Sequence, residues 1–214
     1  MENDLNKSNI ESLIVYIPMD RRLAISQGME LSADTHGTAL FADISGFTSL
    51  TENLTHSLGP QRGAEELTIF LNHVYGALIK ELHAYRGSVI GFSGDAITCW
   101  FDQDPGESAV TCAVAMQKSM GAFQDVELPG GGRTSISMKA ALAYGNVKRF
   151  VVGDPDRHIK DVITGNLLDT LAEGEHMAMS GEILLDQRLK KPSRELLPSR
   201  IGGRGSLTGA HFVH

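Results

Sequence analysis

The chain has 214 residues, of which 42% are hydrophobic and 21% charged, the balance of a globular domain of ordinary size with some extra length at its ends. Nineteen Lys and Arg against 26 Asp and Glu give a net charge of −7. That argues against a nucleic-acid binder with a basic face, but not against a nucleotide ligand, because a bound divalent metal reverses the local sign. No stretch approaches the roughly 18 apolar residues of a spanning helix, so no membrane span is expected. The start, "MENDLNKSNIESL", lacks the basic-then-apolar shape of a signal peptide. Cys99 and Cys112 sit in apolar patterns without zinc spacing and read as buried reduced thiols, so a cytoplasmic setting is expected.

In chain order, residues 1–35 read as an N-terminal extension in which Ser8 and Glu11 form a capping-box pattern and Pro18 ends a short helix. "GTALFADI" (37–44) predicts a buried strand, and "SGFTSLTENL" turns into a helix. After the break at "LGP" the longest helical pattern covers about 61–85, with Leu67, Phe70, Leu71, Val74, Leu78 and Leu82 on one stripe facing a sheet. "GSVIGFSG" and "DAITCWF" predict a hairpin with Asp95 at its tip, and residues 104–123 another amphipathic helix. "LPGGGRT" reads as a loop. "SISMKAALAYG" and "NVKRFVVGD" read as a second hairpin turning at Gly145-Asn146. "DVITGNLLDTLAEGE" reads as a strand into a short helix, and "GEILLD" as a closing strand. The Gly-rich residues 191–214 are expected to be a tail or linker, leaving 36–190 as the domain. This order predicts an α+β sandwich, with a mainly antiparallel sheet covered by helices on one face.

Two carboxylates stand out. Asp43 closes an apolar run directly before Ser-Gly-Phe-Thr, and Asp95 sits between a glycine and a second apolar run. With the central hairpin beside the first strand, both reach a common point. Hard divalent cations take one or two carboxylates together with phosphate oxygens. Behind Asp43 the start of a helix offers backbone N–H groups as an anion cradle, and Gly46 lets that backbone approach a phosphate closely. Each aspartate alone reads equally well as a helix or turn cap; the pair together favours a metal site for nucleotide chemistry. The histidines show no ligand spacing, the "LPGGGRT" glycines precede no P-loop Lys-Ser/Thr, and there is no Gly-x-Ser-x-Gly elbow.

The segments "FADISGFTSLTENL", "RGAEELTIFLNHVYGALIKELHAYRGSVIGFSGDAITCWF" and "ALAYGNVKRFVVGD" resemble the class III nucleotidyl cyclase catalytic domain, over about residues 36–188. They are most similar to the first catalytic domain of soluble, bicarbonate-responsive adenylyl cyclases. The resemblance implies a ferredoxin-like, βαββαβ-derived sandwich and conversion of ATP to cyclic AMP and pyrophosphate. It implies two Mg²⁺ or Mn²⁺ ions held by Asp43, Asp95 and the carbonyl of Ile44, with Gly46, Phe47 and Thr48 lining the ATP phosphates. It also implies a partner: class III sites form between two such domains, in a heterodimer, pseudo-heterodimer or homodimer.

Departures from the family pattern cluster in one half of the site. The family's adenine-side lysine falls at Gly91, and its Asn and transition-state Arg fall at Asp169 and Glu173. The adenine-reading polar position falls on Asp161 or Val162. A basic residue that the soluble enzymes place at the Ala172 position is missing too, so no bicarbonate response is expected. The metal half is kept and the base-and-arginine half is lost. The leading expectation is therefore the metal-donating half of an adenylyl cyclase. The alternative is a catalytically degenerate cyclase-like domain that binds nucleotide or dimerises to regulate. A metal-dependent phosphohydrolase, which would need a nucleophilic Asp-x-Asp or a His-rich cluster, is the third and least supported reading.

Overall fold

The structure, a computed structural model, describes residues 17–154, 158–189 and 209–212. The helix expected at the Ser8 capping box lies outside the described residues. Within the extension, Met19–Ser26 forms α1. Then follow β1 (Asp34–Ser45), α2 (Phe47–Leu58), α3 (Pro60–Ala84), β2 (Ser88–Ser93), β3 (Ala96–Asp102) and α4 (Glu107–Ser119). The remaining elements are β4 (Val126–Glu127), β5 (Arg133–Thr134), β6 (Ser137–Asp154), β7 (His158–Thr164), α5 (Leu167–Met177), β8 (Glu182–Leu185) and β9 (Gly209–Phe212).

The main sheet has the order β2-β3-β1-β6-β8-β9, with β7 paired to the far part of β6. It is antiparallel from β2 to β6, whereas β8 runs parallel to β6 and β9 parallel to β8. This is the expected α+β architecture, but α5 covers the opposite face of the sheet from α2, α3 and α4. The helices are therefore not confined to one face as expected, and other details differ too. Gly145-Asn146 is not a turn: β6 runs straight through it, with Gly145 opposite Gly37 and Asn146 opposite His36. Twelve consecutive pairs with β1 outweigh a local turn preference, and Leu167 and Arg188 pack over the space a Cβ at Gly145 would enter. The expected linker contributes β9 at the sheet edge, and the "LPGGGRT" loop connects the short β4–β5 hairpin.

Alternation along the strands makes two faces. Leu40, Ala42 and Ile44 of β1, Ile97, Cys99 and Phe101 of β3, and Met138, Ala140 and Leu142 of β6 join the larger core. There they meet Leu50 and Leu54 of α2, Val74, Leu78 and Leu82 of α3, and Cys112 and Met116 of α4. Of the predicted α3 stripe, Val74, Leu78 and Leu82 are buried in this core and Leu67 and Phe70 pack against it, while Leu71 does not join it; Pro60 stands in the first turn after Gly59. Ala39, Trp100, Ala141 and Ala143 point the opposite way, where Ile163 of β7 and Leu167 and Leu171 of α5 cover them. Both cysteines are buried free thiols. Burial, with Glu81 adding to it, pushes Cys112 up to about 12, and burial followed by Cys112 raises Cys99 well above its ordinary value. Neither is a thiolate near neutral pH.

Helix α1 is tied down by charge. Arg149 of β6 and Asp161 of β7 are diagonal neighbours across the strand pair, Arg149 standing opposite Ile163 and Asp161 opposite Val151, with side chains only 1% and 2% exposed. Arg149 Nε donates to Asp161 Oδ1 at 2.8 Å, and its other nitrogens reach both oxygens of Asp20 on α1. Arg21, also on α1, donates to Asp161, and the Asp20 N–H donates to Ser88 Oγ on β2 at 3.0 Å. Two cations and two anions balance, so burial leaves no charge uncompensated. Burial alone would raise the Asp161 pKa, but hydrogen bonds from Arg149 and Arg21, and their charges, hold it below the usual carboxylate range. A depressed pKa contributes stability above the unfolded carboxylate value of about 3.9, which is lost as pH falls through the lower folded-state value. Removing one member, as in Asp161→Asn or Arg149→Met, strands a buried charge and should cost about 3–5 kcal/mol. The measurement is the midpoint of urea unfolding, and the deficit of Asp161→Asn should shrink in acid as the wild-type carboxylate protonates.

Candidate active site at the end of strand β1

Asp43 lies opposite Lys139 of β6 on one side and Ala96 of β3 on the other. Its neighbours Ala42 and Ile44 enter the larger core, so alternation sends Asp43 and Ser45 to the opposite face. Asp95 occupies the turn between β2 and β3, where Gly94 takes the left-handed conformation (φ 63°) that an ordinary residue resists. The Asp95 carbonyl accepts the Ile44 N–H at 3.3 Å, which fixes this turn against the end of β1. The two aspartates that are 52 residues apart in sequence are therefore neighbours at one corner of the sheet.

Tyr75 of α3 reports the same proximity. Its ring stands edge-on to Phe92 of β2, with centroids 5.4 Å apart. Burial, then the charges of Asp95 and Asp43, push its hydroxyl above the ordinary value. On the far side of Asp43, Lys139 Nζ sits 3.4 Å from Oδ2 and 2.7 Å from Oε1 of Glu175 on α5. Its pKa is raised, first by the hydrogen bond to Glu175 and against some burial, then by the two carboxylate charges. Ser45 and Ser137 hydroxyls meet at 2.8 Å, and Ser180 Oγ donates to Ser137 Oγ at 2.6 Å, closing a polar wall beside Asp43.

The connection into α2 has the form of an anion cradle. Gly46 adopts φ 108°, and a Cβ there would lie 2.6 Å from the Ser135 carbonyl oxygen. Only glycine fits that turn. No side chain caps α2 at Gly46, so its first-turn N–H groups remain available to a ligand. The Phe47 ring packs against the larger core and Thr48 is exposed, while Ile44 is buried, so Phe47 and Ile44 have only backbone groups to offer.

The residues singled out for the other half of the site lie apart. Gly91 is on β2 with open space where a Cβ would stand, so packing does not explain the absence of a side chain there. Asp169, Ala172 and Glu173 lie exposed on α5. Asp169 is in the first turn, where a carboxylate complements the helix dipole. Asp161 is consumed by Arg149 and Arg21, whereas Val162 is half-buried on β7. Sequence reasoning missed Lys139, Glu175 and Tyr75. Lys139 had one signal, a lone cation within the apolar run "SISMKAALAYG".

Among the described residues no three His, Cys, Asp or Glu side chains form a metal cage. The donor set that the resemblance implies, two carboxylates with a backbone carbonyl, would suit Mg²⁺ or Mn²⁺ arriving with phosphate oxygens and water rather than an all-protein site.

A mixed α+β sheet with paired acids at the β1 end and a glycine-opened helix start defines the class. The chain belongs to the family of the adenylate and guanylate cyclase catalytic domain, whose sequence model matches residues 31–196. Among its relatives, rat adenylate cyclase type 10 is 30% identical over 152 residues, covering 70% of this chain and 9% of the rat protein. An uncharacterized Mycobacterium bovis protein is 30% identical over 158 residues, covering 74% of this chain and 33% of that protein. The chain thus spans under a tenth of the rat relative's length. In fold it is similar to the adenylyl cyclase CyaB of P. aeruginosa, with TM-score 0.58, 24% identity, and 81% and 88% of the two chains covered. The guanylyl cyclase Cya2 gives TM-score 0.60 and 24% identity, with 80% and 83% covered. Among the described residues no helix is long and apolar enough to cross a membrane.

The raised Tyr75 pKa yields a test of this geometry. Asp95→Asn should lower it toward the ordinary value of about 10. Ultraviolet titration, with Tyr75→Phe subtracted, reads the single tyrosine; no change in Asp95→Asn would place the carboxylate out of reach.

Proposed function

We propose that this chain is the metal-donating half of an adenylyl cyclase site, converting ATP to cyclic AMP and pyrophosphate together with a second cyclase-type domain. The observation that carries the proposal is the meeting of Asp43, Asp95 and the Gly46 turn at one corner, while α5 exposes acids where the resemblance expects Asn and Arg. We take residues 36–190 as the cyclase-like unit, and the buried free thiols are consistent with a cytoplasmic setting.

Asp43, Asp95 and the Ile44 carbonyl would hold two Mg²⁺ or Mn²⁺ ions. Such ions supply charge neutralisation of the triphosphate and acidification of the ribose 3′-hydroxyl. The chain's own groups do the rest. N–H groups from Gly46 to Thr48 bind phosphate oxygens, and Lys139 adds a fixed positive charge beside Asp43. The 3′-oxygen bonds to the α-phosphorus, its proton passes to solvent water, and the bond to the bridging oxygen breaks so that pyrophosphate departs in line, a step that depends on positioning and charge more than on covalent help. Asp169 and Glu173 cannot stabilise that charge, so a partner has to supply the donors and the contacts to the base.

The test is cyclic AMP formation by the chain alone and after mixing with a second domain that carries Lys, Asn and Arg. Alone, even as a symmetric dimer, it should turn over little, since one missing oxyanion donor costs about 10²–10³-fold. The mixture should be active, and Asp43→Asn should lower its kcat by about 10²-fold or more. Strong turnover by the chain alone would overturn the half-site reading. Silence in both, with Mn²⁺-ATP still bound in calorimetry, would favour a regulatory cyclase-like domain, the reading that the sequestered Asp161 also suits.

A further inference from the structure

An ammonium group has three N–H donors and no acceptor. Those of Lys139 meet three oxygens: Oε1 of Glu175 at 2.7 Å, the Glu175 carbonyl at 3.2 Å and Oδ2 of Asp43 at 3.4 Å. The shortest contact goes to the α5 carboxylate and the longest to the β1 carboxylate. Glu175 Oε2 also lies 3.5 Å from His176 Nδ1, but that imidazole is 83% exposed and leaves Lys139 as its enclosed partner. All three members of the Asp43–Lys139–Glu175 row are about one-fifth exposed, so solvent reaches the row without dispersing it.

We infer that Glu175 is a positioning residue that tethers Lys139 and so sets how readily Asp43 is released to a divalent cation. The inference rests on the proposed metal role of Asp43. The ammonium is the resident positive charge beside that carboxylate. A divalent cation at Asp43 would compete with the ammonium for that carboxylate, whose contact with Lys139 is the longest of the three. Glu175 keeps the ammonium charge-paired and in place while this happens, and the freed third donor then faces the incoming phosphates. Without the Glu175 charge, Asp43 is the only carboxylate left to Lys139 in this row. The ammonium closes on it and competes with the metal.

Neither charge nor distance alone separates this from a bulk electrostatic effect, because deleting any nearby carboxylate weakens cation binding. A double-mutant cycle separates them. Titrate Mn²⁺ alone, and inorganic tripolyphosphate alone, into wild type, Glu175→Gln, Lys139→Met and the double variant by calorimetry. Glu175→Gln should weaken Mn²⁺ binding on the order of fivefold and tighten tripolyphosphate by a similar factor, as expected for partly exposed charges. Lys139→Met should tighten Mn²⁺ and weaken tripolyphosphate. In the Lys139→Met background the Glu175→Gln effect on Mn²⁺ should shrink to the bulk electrostatic remainder, because the tethered group is gone. An equal effect of Glu175→Gln in both backgrounds, or none in either while wild type binds Mn²⁺, would overturn the tether and leave the metal reading standing. Wild type that binds no Mn²⁺, alone or with tripolyphosphate, would overturn the metal reading and the tether with it. Circular dichroism of the four proteins guards against misfolding, and Glu175→Asp gives a further check by restoring part of the Mn²⁺ affinity.

Discussion

Strand β1 is hydrogen-bonded along both edges, to β3 from Gly37 to Asp43 and to β6 over its full length from Asp34 to Ser45. That double pairing is the constraint on which the site depends. Side chains alternate with period two, so the register that buries Ala42 and Ile44 also sends Asp43 and Ser45 to the opposite face. It sets Lys139 directly across from Asp43 as well. A slip by one residue would bury the carboxylate among Leu50, Leu78 and Met138 and expose the core. Register is thus held by the cost of burying Asp43 wrongly as much as by the gain from burying Ile44.

The molecule contains two charge clusters that differ in kind. Around Arg149 every cation has anionic partners, and Arg149 and Asp161 are almost wholly shielded from water, so the network can only be kept or broken. Its consequence is structural, fastening α1 to β2 and the β6–β7 arm. Around Asp43 the groups are partly exposed, and the Asp43–Lys139 contact is long. There a partner can be exchanged at modest cost, which suits the proposed exchange of the resident ammonium for a divalent cation at Asp43. Burial decides which ion pairs are fasteners and which are adjustable.

The same contrast explains the lopsided site. Asp161 is turned inward as a fastener, Gly91 presents no side chain, and α5 carries acids at Asp169 and Glu173 on its exposed surface. Glu175, further along the same helix, has instead turned onto Lys139. Helix α5 therefore reaches the Asp43 corner through Glu175 and carries acids on its exposed surface.

Much of this could be read from residues in order. Apolar runs ending in Asp43 and Asp95, the helical stripe from Leu67 to Leu82, the Gly59-Pro60 break and the glycine at position 46 are local signals. Each follows from backbone preferences or from periodicity within a few turns. The turn expected at Gly145-Asn146 failed because a local preference worth little met twelve cross-strand pairs, a non-local interaction that no short window contains. Helix α1 was missed because its place is fixed by Asp20 and Arg21 reaching Arg149 and Asp161 more than a hundred residues away. Lys139, Glu175 and Tyr75 were missed for the same reason. A lysine in a strand, a glutamate late in a helix and a tyrosine on a helix have no chemistry of their own until β6, α5 and α3 bring them to Asp43. The sequence by itself determined which groups could hold charge and which segments would be strands or helices. Only the tertiary structure decided which charges meet, because that depends on the register of one strand between two neighbours and on the helices packed across its faces.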